Sequence, residues 1–119
     1  MKALILAGLP ALLLSAPATA QFSSVNDPAP GSASLIGSDY ATAEREIRAA
    51  DVSKYDPARS MNLGIALAKQ GNKADAAKQF NRVLMEADVE MLVANGSSVM
   101  SHELARRALA SLQNGVLSR

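Results

Sequence analysis

The sequence predicts a mainly α-helical domain with one short β-hairpin before its C-terminal helix. Apolar residues recur every three or four positions in four stretches, as they do on one face of a helix. Helix start and stop signals flank these stretches, above all Asp56-Pro57 and Gly71. Asn95-Gly96 separates two short runs that favour strands, which is a common hairpin signal. With 119 residues, the chain has room for one domain.

Residues 1–20 have the three parts of a secretory signal peptide. Lys2 supplies the positive charge, an apolar stretch runs from Ala3 to Leu14, and small residues stand at Ala18 and Ala20. The apolar stretch has about 12 residues, whereas a helix needs about 20 to span a membrane. We therefore expect cleavage after Ala20 and delivery to a bacterial periplasm. Full secretion is one alternative, and an uncleaved anchor is another.

Residues 21–37 are rich in Ser, Pro, Gly and Ala and carry one charged residue, Asp27. Such a segment buries too little apolar surface to offset the entropy lost on ordering, so we predict a flexible linker. Leu35 and Ile36 are the exception, because they directly precede a helix start. They would either pack on that helix as a hydrophobic staple or form a short edge strand. The folded domain is then expected over residues 38–119.

The first predicted helix begins at Ser38 or Asp39, either of which can cap it. Its apolar face consists of residues at spacings of three, four and three, namely Tyr40, Ala43, Ile47 and Ala50. Glu44 and Arg48 form a favourable i,i+4 pair on the other side.

Two further helices follow with only a tight turn between them. The second runs from Pro57 to about Gln70, and Gly71 ends it. The third begins at Asn72, with Asp75 in the position of a capping box. The short turn requires an antiparallel helix pair that packs closely at small residues such as Gly64 and Ala76.

This helix pair resembles a tetratricopeptide repeat. The segment NLGIALAKQGNKADAAKQFNRVL has the Leu-Gly pair of that family at Leu63 and Gly64, its turn at Gly71, its small residue at Ala76 and its aromatic at Phe80. The resemblance assigns one TPR-like unit to about residues 57–88. It departs from the family pattern at Ser60, Leu67 and Asp88, where the family often has Trp, Tyr and Pro.

A partial second copy lies upstream, because Ala43, Ile47 and Ala50 precede matching residues by 33 positions, close to the family period of 34. Repeat arrays usually need about three units, so something must cap this one. We predict a hairpin over about residues 90–100, with strands at Glu90–Ala94 and Ser97–Met100. A final helix over about residues 101–113, capped by Ser101, would then cover the helix that carries Phe80.

Composition excludes several classes of function. Without Lys2, 11 basic residues face 11 acidic ones, so net charge gives no general attraction to nucleic acid or anionic membranes. The chain has no Cys, which removes disulfides, thiolate sites and a lipid-modified cysteine. It has no Trp and only four Phe and Tyr residues, too few for stacking platforms.

No catalytic, cofactor or metal motif is present. His102 is the only histidine and lacks the second histidine of a zinc helix, so we expect it to be solvated or to cap a helix. No Gly-x-Ser-x-Gly elbow occurs, and nothing recommends a Ser-His-Asp triad. Arg106 and Arg107 could hold a carboxylate or a phosphate, but the polar face of the last helix explains them as well.

The resemblance also implies a binding surface. Ala58, Asn62, Ile65 and Lys69 share one face of the second helix, which lines the concave groove in tetratricopeptide proteins. The alternative is that Ile65 packs on the first helix. We therefore expect a non-enzymatic periplasmic module that binds a peptide or an envelope protein, or else a small structural protein that self-associates.

Overall fold

A computed structural model describes residues 14–17, 29–93 and 95–115. The described part is mainly helical, and an antiparallel hairpin precedes the last helix, as predicted. In chain order, its elements are β1 (Leu14–Pro17), α1 (Ser32–Ile36), α2 (Tyr40–Ala49), α3 (Pro57–Lys69), α4 (Lys73–Met85), β2 (Glu90–Val93), β3 (Ser98–Met100) and α5 (Ser101–Gln113).

Helix α3 is the centre of the fold. All nine residues from 60 to 68 are buried. Helices α1, α2, α4 and α5 and strand β1 all lie against α3. A helix that is apolar or small around its whole circumference is stable only in the interior, which explains this central position.

The turn between α3 and α4 is made by local sequence, as predicted. Gly71 has φ +89°, a left-handed conformation that suits glycine. The Asn72 N–H donates to the Leu67 carbonyl at 2.9 Å, and the Gly71 N–H donates to the Ala68 carbonyl at 3.0 Å. These two bonds form a Schellman motif, which satisfies the free carbonyls at the end of α3.

Close packing of α3 on α4 depends on Gly64. A Cβ atom at Gly64 would lie 2.8 Å from Cζ of Phe80, well inside the van der Waals distance. The Phe80 ring is fully buried. The absence of a side chain at Gly64 therefore lets the ring lie on the backbone of α3.

The start of α4 differs from the prediction. Asn72 is the N-cap residue, but its side chain makes no capping hydrogen bond, so the expected capping box does not form. Half of the box is blocked by the preceding turn, because the Asn72 N–H that the Asp75 side chain would bond already donates to the Leu67 carbonyl.

Residues 29–37 also differ from the predicted flexible linker. They contain α1, and Leu35 is fully buried while Ile36 is 63% exposed. The Ser32 hydroxyl donates to the Ala29 carbonyl at 2.6 Å, which satisfies a buried polar group. Burial of Ala29, Ser32 and Leu35 accounts for this order, and Leu35 lies in a helix and not in the edge strand that was one of its two predicted alternatives. The remainder of the predicted linker, residues 21–28, lies outside the described residues.

The strands form one antiparallel sheet in the order β1-β2-β3. Met91 pairs with Val99 in the hairpin, but its loop differs from the predicted two-residue turn. Hydrogen bonds join the Val93 N–H to the Ser97 carbonyl and the Gly96 N–H to the Val93 carbonyl, so the loop begins after Val93 and ends before Ser97. Only Gly96, at φ +87°, is left-handed among the described loop residues, which suits a three-residue loop.

Strand β1 pairs with the other edge of β2, with Leu14 opposite Val93. It belongs to residues 1–20, the predicted signal peptide, whose other residues lie outside the described ones. Removal of that segment would leave a sheet of two strands, β2 and β3.

Candidate functional site

The structure buries most of the face that the resemblance nominated for binding. Ala58 and Asn62 have no exposed surface, Ile65 is 1% exposed, and Lys69 is partly exposed. These residues belong to the central helix, where neighbouring elements cover them. A partner could not reach the first three side chains without displacing the elements that cover α3, one of which is β1 of the predicted signal peptide, so this face forms no open groove in the described structure.

A polar junction joins the end of α4 to the start of α5. Oδ1 of Asp88 accepts hydrogen bonds from the His102 N–H at 2.9 Å and from the Ser101 hydroxyl at 3.3 Å. Nε2 of His102 lies 2.7 Å from the Glu86 carbonyl, to which it donates. The Ser101 hydroxyl also accepts from the Val89 N–H at 2.9 Å. Together these hydrogen bonds hold the start of α5 against the end of α4.

The junction tests two sequence predictions, one for Ser101 and one for His102. Ser101 is the first residue of α5 and not its cap. The carboxylate of Asp88, 14 positions earlier in the sequence, accepts from the His102 N–H in the first turn of the helix instead. His102 bonds a carbonyl at the end of α4, one of the two roles predicted for it. These side chains do not form a Ser-His-Asp relay, because the Ser101 hydroxyl donates to Asp88 and Nε2 of His102 faces Glu86.

Helices α4 and α5 pack antiparallel, because the junction joins the end of one to the start of the other. At the opposite end they leave an open groove of about 710 Å³. Small and apolar side chains line most of it, namely Ala74, Ala77, Leu109, Ala110 and Leu112. Lys73, Arg106 and Gln113 supply the polar groups. A volume of this order is typical of binding pockets.

The charges at this groove are positive and only weakly compensated. Arg106 has one ion pair among the described residues, a loose contact of 3.9 Å with Glu103. Glu103 is held more closely by Arg107, at 2.8 Å. Lys73 forms no ion pair with any residue that the structure describes. The groove can therefore offer two cations to a carboxylate while α5 keeps its own pair.

Sequence reasoning finds part of this groove. Arg106 and Arg107 are both candidates from sequence, because two adjacent guanidinium groups could hold a carboxylate or a phosphate. The structure separates the two, because Arg106 lines the groove and Arg107 does not. Lys73 is missed, and no local signal marks it, since its role depends on the approach of α5 to α4.

No family model, curated protein or solved structure matches this chain. The tetratricopeptide resemblance therefore remains a prediction. Over the described ranges, no helix is long and apolar enough to cross a membrane. Within those same ranges, no three acidic or histidine side chains are grouped so that they could hold a metal ion.

Proposed function

We propose that this protein is an exported, TPR-like binding module of the periplasm that holds a segment of another envelope protein in the α4–α5 groove. The observation that carries the proposal is the composition of that groove. An apolar floor lies beside two cations, Lys73 and Arg106, and neither has a close carboxylate among the described residues. No catalytic step is assigned to it.

The groove favours a partner segment of definite chemistry. Ala74, Ala77 and Ala110 are small, so a peptide backbone or a slim helix can approach α4 and α5 closely. Leu109 and Leu112 favour apolar side chains on the partner. A guanidinium and an ammonium at the rim favour a carboxylate, which is either a free C-terminus or an acidic side chain.

A selection experiment with random peptides tests this chemistry directly. Random dodecapeptides with free C-termini are selected on the purified protein, and recovered peptides are synthesised with each carboxylate intact or converted to an amide. We expect apolar residues beside a carboxylate, and weakening of binding by at least about tenfold on amidation. Recovery of peptides that bind equally well as amides would contradict the proposed chemistry.

Export forms the second part of the proposal and has its own test. It rests on Lys2, the short apolar stretch and the small residues before Gln21. Mass spectrometry of the protein from a periplasmic extract should find Gln21 at the N-terminus. A chain that begins at Met1 and stays with the membrane fraction would contradict export to the periplasm.

Self-association is a second candidate, favoured by two exposed methionines. Met85, the last residue of α4, is 78% exposed, and Met100, just before α5, is 42% exposed. The bond between His102 and Glu86 brings these helix ends together, so both methionines lie at one end of the molecule. If the protein self-associates, light scattering should find a dimer, and Met85→Lys should dissociate it. A monomer at every protein concentration would exclude this candidate.

A further inference from the structure

Three arginines from three different helices meet at the end of the bundle remote from the Gly71 turn. Arg48 lies near the end of α2, Arg59 near the start of α3 and Arg82 near the end of α4. Because these helices run antiparallel in succession, the three positions share one end. The segment between α2 and α3 adds Lys54 and Tyr55 there.

The charges of this cluster act on one another. The Lys54 ammonium lies 5.3 Å from the centre of the Tyr55 ring, and the Arg82 guanidinium lies 6.0 Å from it. Burial lowers the pKa of Arg59, and the positive charges of Arg48 and Arg82 lower it further. Like charges are therefore held together at this end against their mutual repulsion.

Neighbouring carboxylates compensate this charge only in part. Arg48 bonds Glu44 at 2.8 Å, and Asp56 acts on Arg59 without an ion-pair contact. Neither Arg59 nor Arg82 forms an ion pair with a residue that the structure describes. In addition, the buried Nε of Arg82 has no hydrogen-bond acceptor among the described residues. A buried donor usually has a partner, and at the end of a helix bundle a water molecule or an anion can provide it.

Helix stability explains only some of these positions. Arg48 and Arg82 lie in the last turns of α2 and α4, where a cation is favourable next to the helix C-terminus. Arg59 lies in the first turn of α3, where the same effect disfavours a cation. Its placement therefore needs another reason, and an anion that bridges the arginines would provide one.

We propose that Arg59 and Arg82, with Arg48 and Lys54 beside them, form a binding site for a phosphate group. Phosphate offers several strong acceptors to guanidinium groups, which hold it through paired hydrogen bonds. The guanidinium groups of Arg59 and Arg82 would donate to it, and the repulsion within the cluster would be relieved. The exposed ring of Tyr55, 52% accessible, forms one wall of the site.

Titration of the purified protein with inorganic phosphate tests the site, at an ionic strength held constant with sodium chloride. The Nε–Hε signal of Arg82 in a nitrogen-proton NMR spectrum should shift and saturate as phosphate binds. Chloride alone should not produce the shift. A shift that chloride reproduces at equal ionic strength would overturn the proposal, because it would show screening only.

Substitutions that are expected to weaken or to tighten phosphate binding make the test more specific. Arg59→Gln and Arg82→Gln should each weaken phosphate binding at least about tenfold, because each removes a charged donor. Asp56→Asn should tighten it by about threefold, because it removes the nearest negative charge and keeps an acceptor for the Ala58 N–H. Arg45→Gln, an equal charge change on α2 outside the cluster, should leave it unchanged. Equal effects of Arg45→Gln and Arg82→Gln would overturn the site.

Two further probes distinguish a soluble phosphate ester from a lipid headgroup as the source of the phosphate group. Glycerol 3-phosphate should bind through the same Arg82 signal if the site takes soluble phosphate esters. Vesicles of phosphatidylcholine with and without phosphatidylglycerol reveal whether a lipid headgroup is bound. Binding of none of these probes, with circular dichroism showing a folded protein, would contradict the proposal. The groove of α4 and α5 is not involved, so the peptide selection succeeds or fails independently.

Discussion

The α3–α4 and α4–α5 pairs hold their helices together in different ways. Neighbouring residues make the turn that joins α3 to α4, through the hydrogen bonds around Gly71. Residues distant in sequence join α4 to α5, because Asp88 bonds the start of α5 from 14 positions away. A local junction can be recognised in the sequence, whereas a remote one becomes visible only in the fold.

The two pairs also differ in what they leave open. The first pair is closed, since Gly64 allows the helices to approach until the Phe80 ring is fully buried. The second pair leaves an open groove beside Arg106, at the end remote from its polar junction. The structure therefore locates a candidate binding surface where the packing is incomplete, and not on the helix that most resembles a known repeat.

The largest expected effect is on the closed pair. Gly64→Ala should lower the free energy of unfolding by about 1 to 3 kcal/mol, because the new methyl group would overlap the Phe80 ring. Urea unfolding followed by circular dichroism measures the change. Phe80→Leu in the Gly64→Ala background should recover part of the loss, since a smaller side chain relieves the overlap.

Gly71→Ala is the matched control for that change. A Cβ at Gly71 meets no atom within 4 Å, so its cost comes from the left-handed backbone alone, about 1 kcal/mol. Phe80→Leu should not reduce this cost. Equal rescue of both glycine variants by Phe80→Leu would show that the Gly64 contact is not specific.

The same contrast explains how much could be predicted from sequence. The bounds of α3, its Asp56 cap and the Gly71 turn follow from neighbouring residues, and the structure confirms them. Sequence marks Leu35 as a residue that packs on the fold, but it does not predict the helix α1 around it, because the composition of residues 21–37 is typical of a linker. The groove could be predicted only by knowing how α5 packs on α4. For this reason the sequence identified Arg106 as a candidate but not Lys73.

The remote junction gives a smaller expected effect. Asp88→Ala should destabilise the protein by about 0.5 to 2 kcal/mol, the usual cost of losing a helix cap. Asp88→Asn should retain most of the stability, because an amide oxygen can still accept from the His102 N–H. Thermal unfolding of the three proteins checks this. Equal destabilisation by both variants would contradict a capping role for Asp88.

The smallest expected effect is a difference in pKa between the two capping aspartates, Asp39 of α2 and Asp56 of α3. Hydrogen bonds from Thr42 lower the pKa of Asp39 below 3.8, whereas burial raises the pKa of Asp56 above 3.8. Carbon-detected NMR titration of the side-chain carboxyls should therefore find the pKa of Asp56 above that of Asp39. The reverse order would contradict the difference in exposure of the two caps.

These shifts have opposite consequences for stability. Asp39 stabilises the fold above pH 3.8, and this contribution is lost as pH falls through its folded pKa. Asp56 binds a proton more readily when folded, so its contribution to stability increases as pH falls from its folded pKa toward 3.8. Asp56→Asn should remove the second dependence and leave the first.

The most direct test of the central claim compares two neighbouring arginines on α5. A peptide recovered by selection is titrated into the native protein, Arg106→Ala and Arg107→Ala by calorimetry. If the α4–α5 groove is the binding surface, Arg106→Ala should raise the Kd at least about tenfold, which corresponds to about 1.4 kcal/mol. Arg107→Ala removes the same charge outside the groove and should raise the Kd by less than about threefold, because Arg107 acts on the groove only through Glu103, which it then releases toward Arg106. Equal Kd values for the two variants would contradict the account.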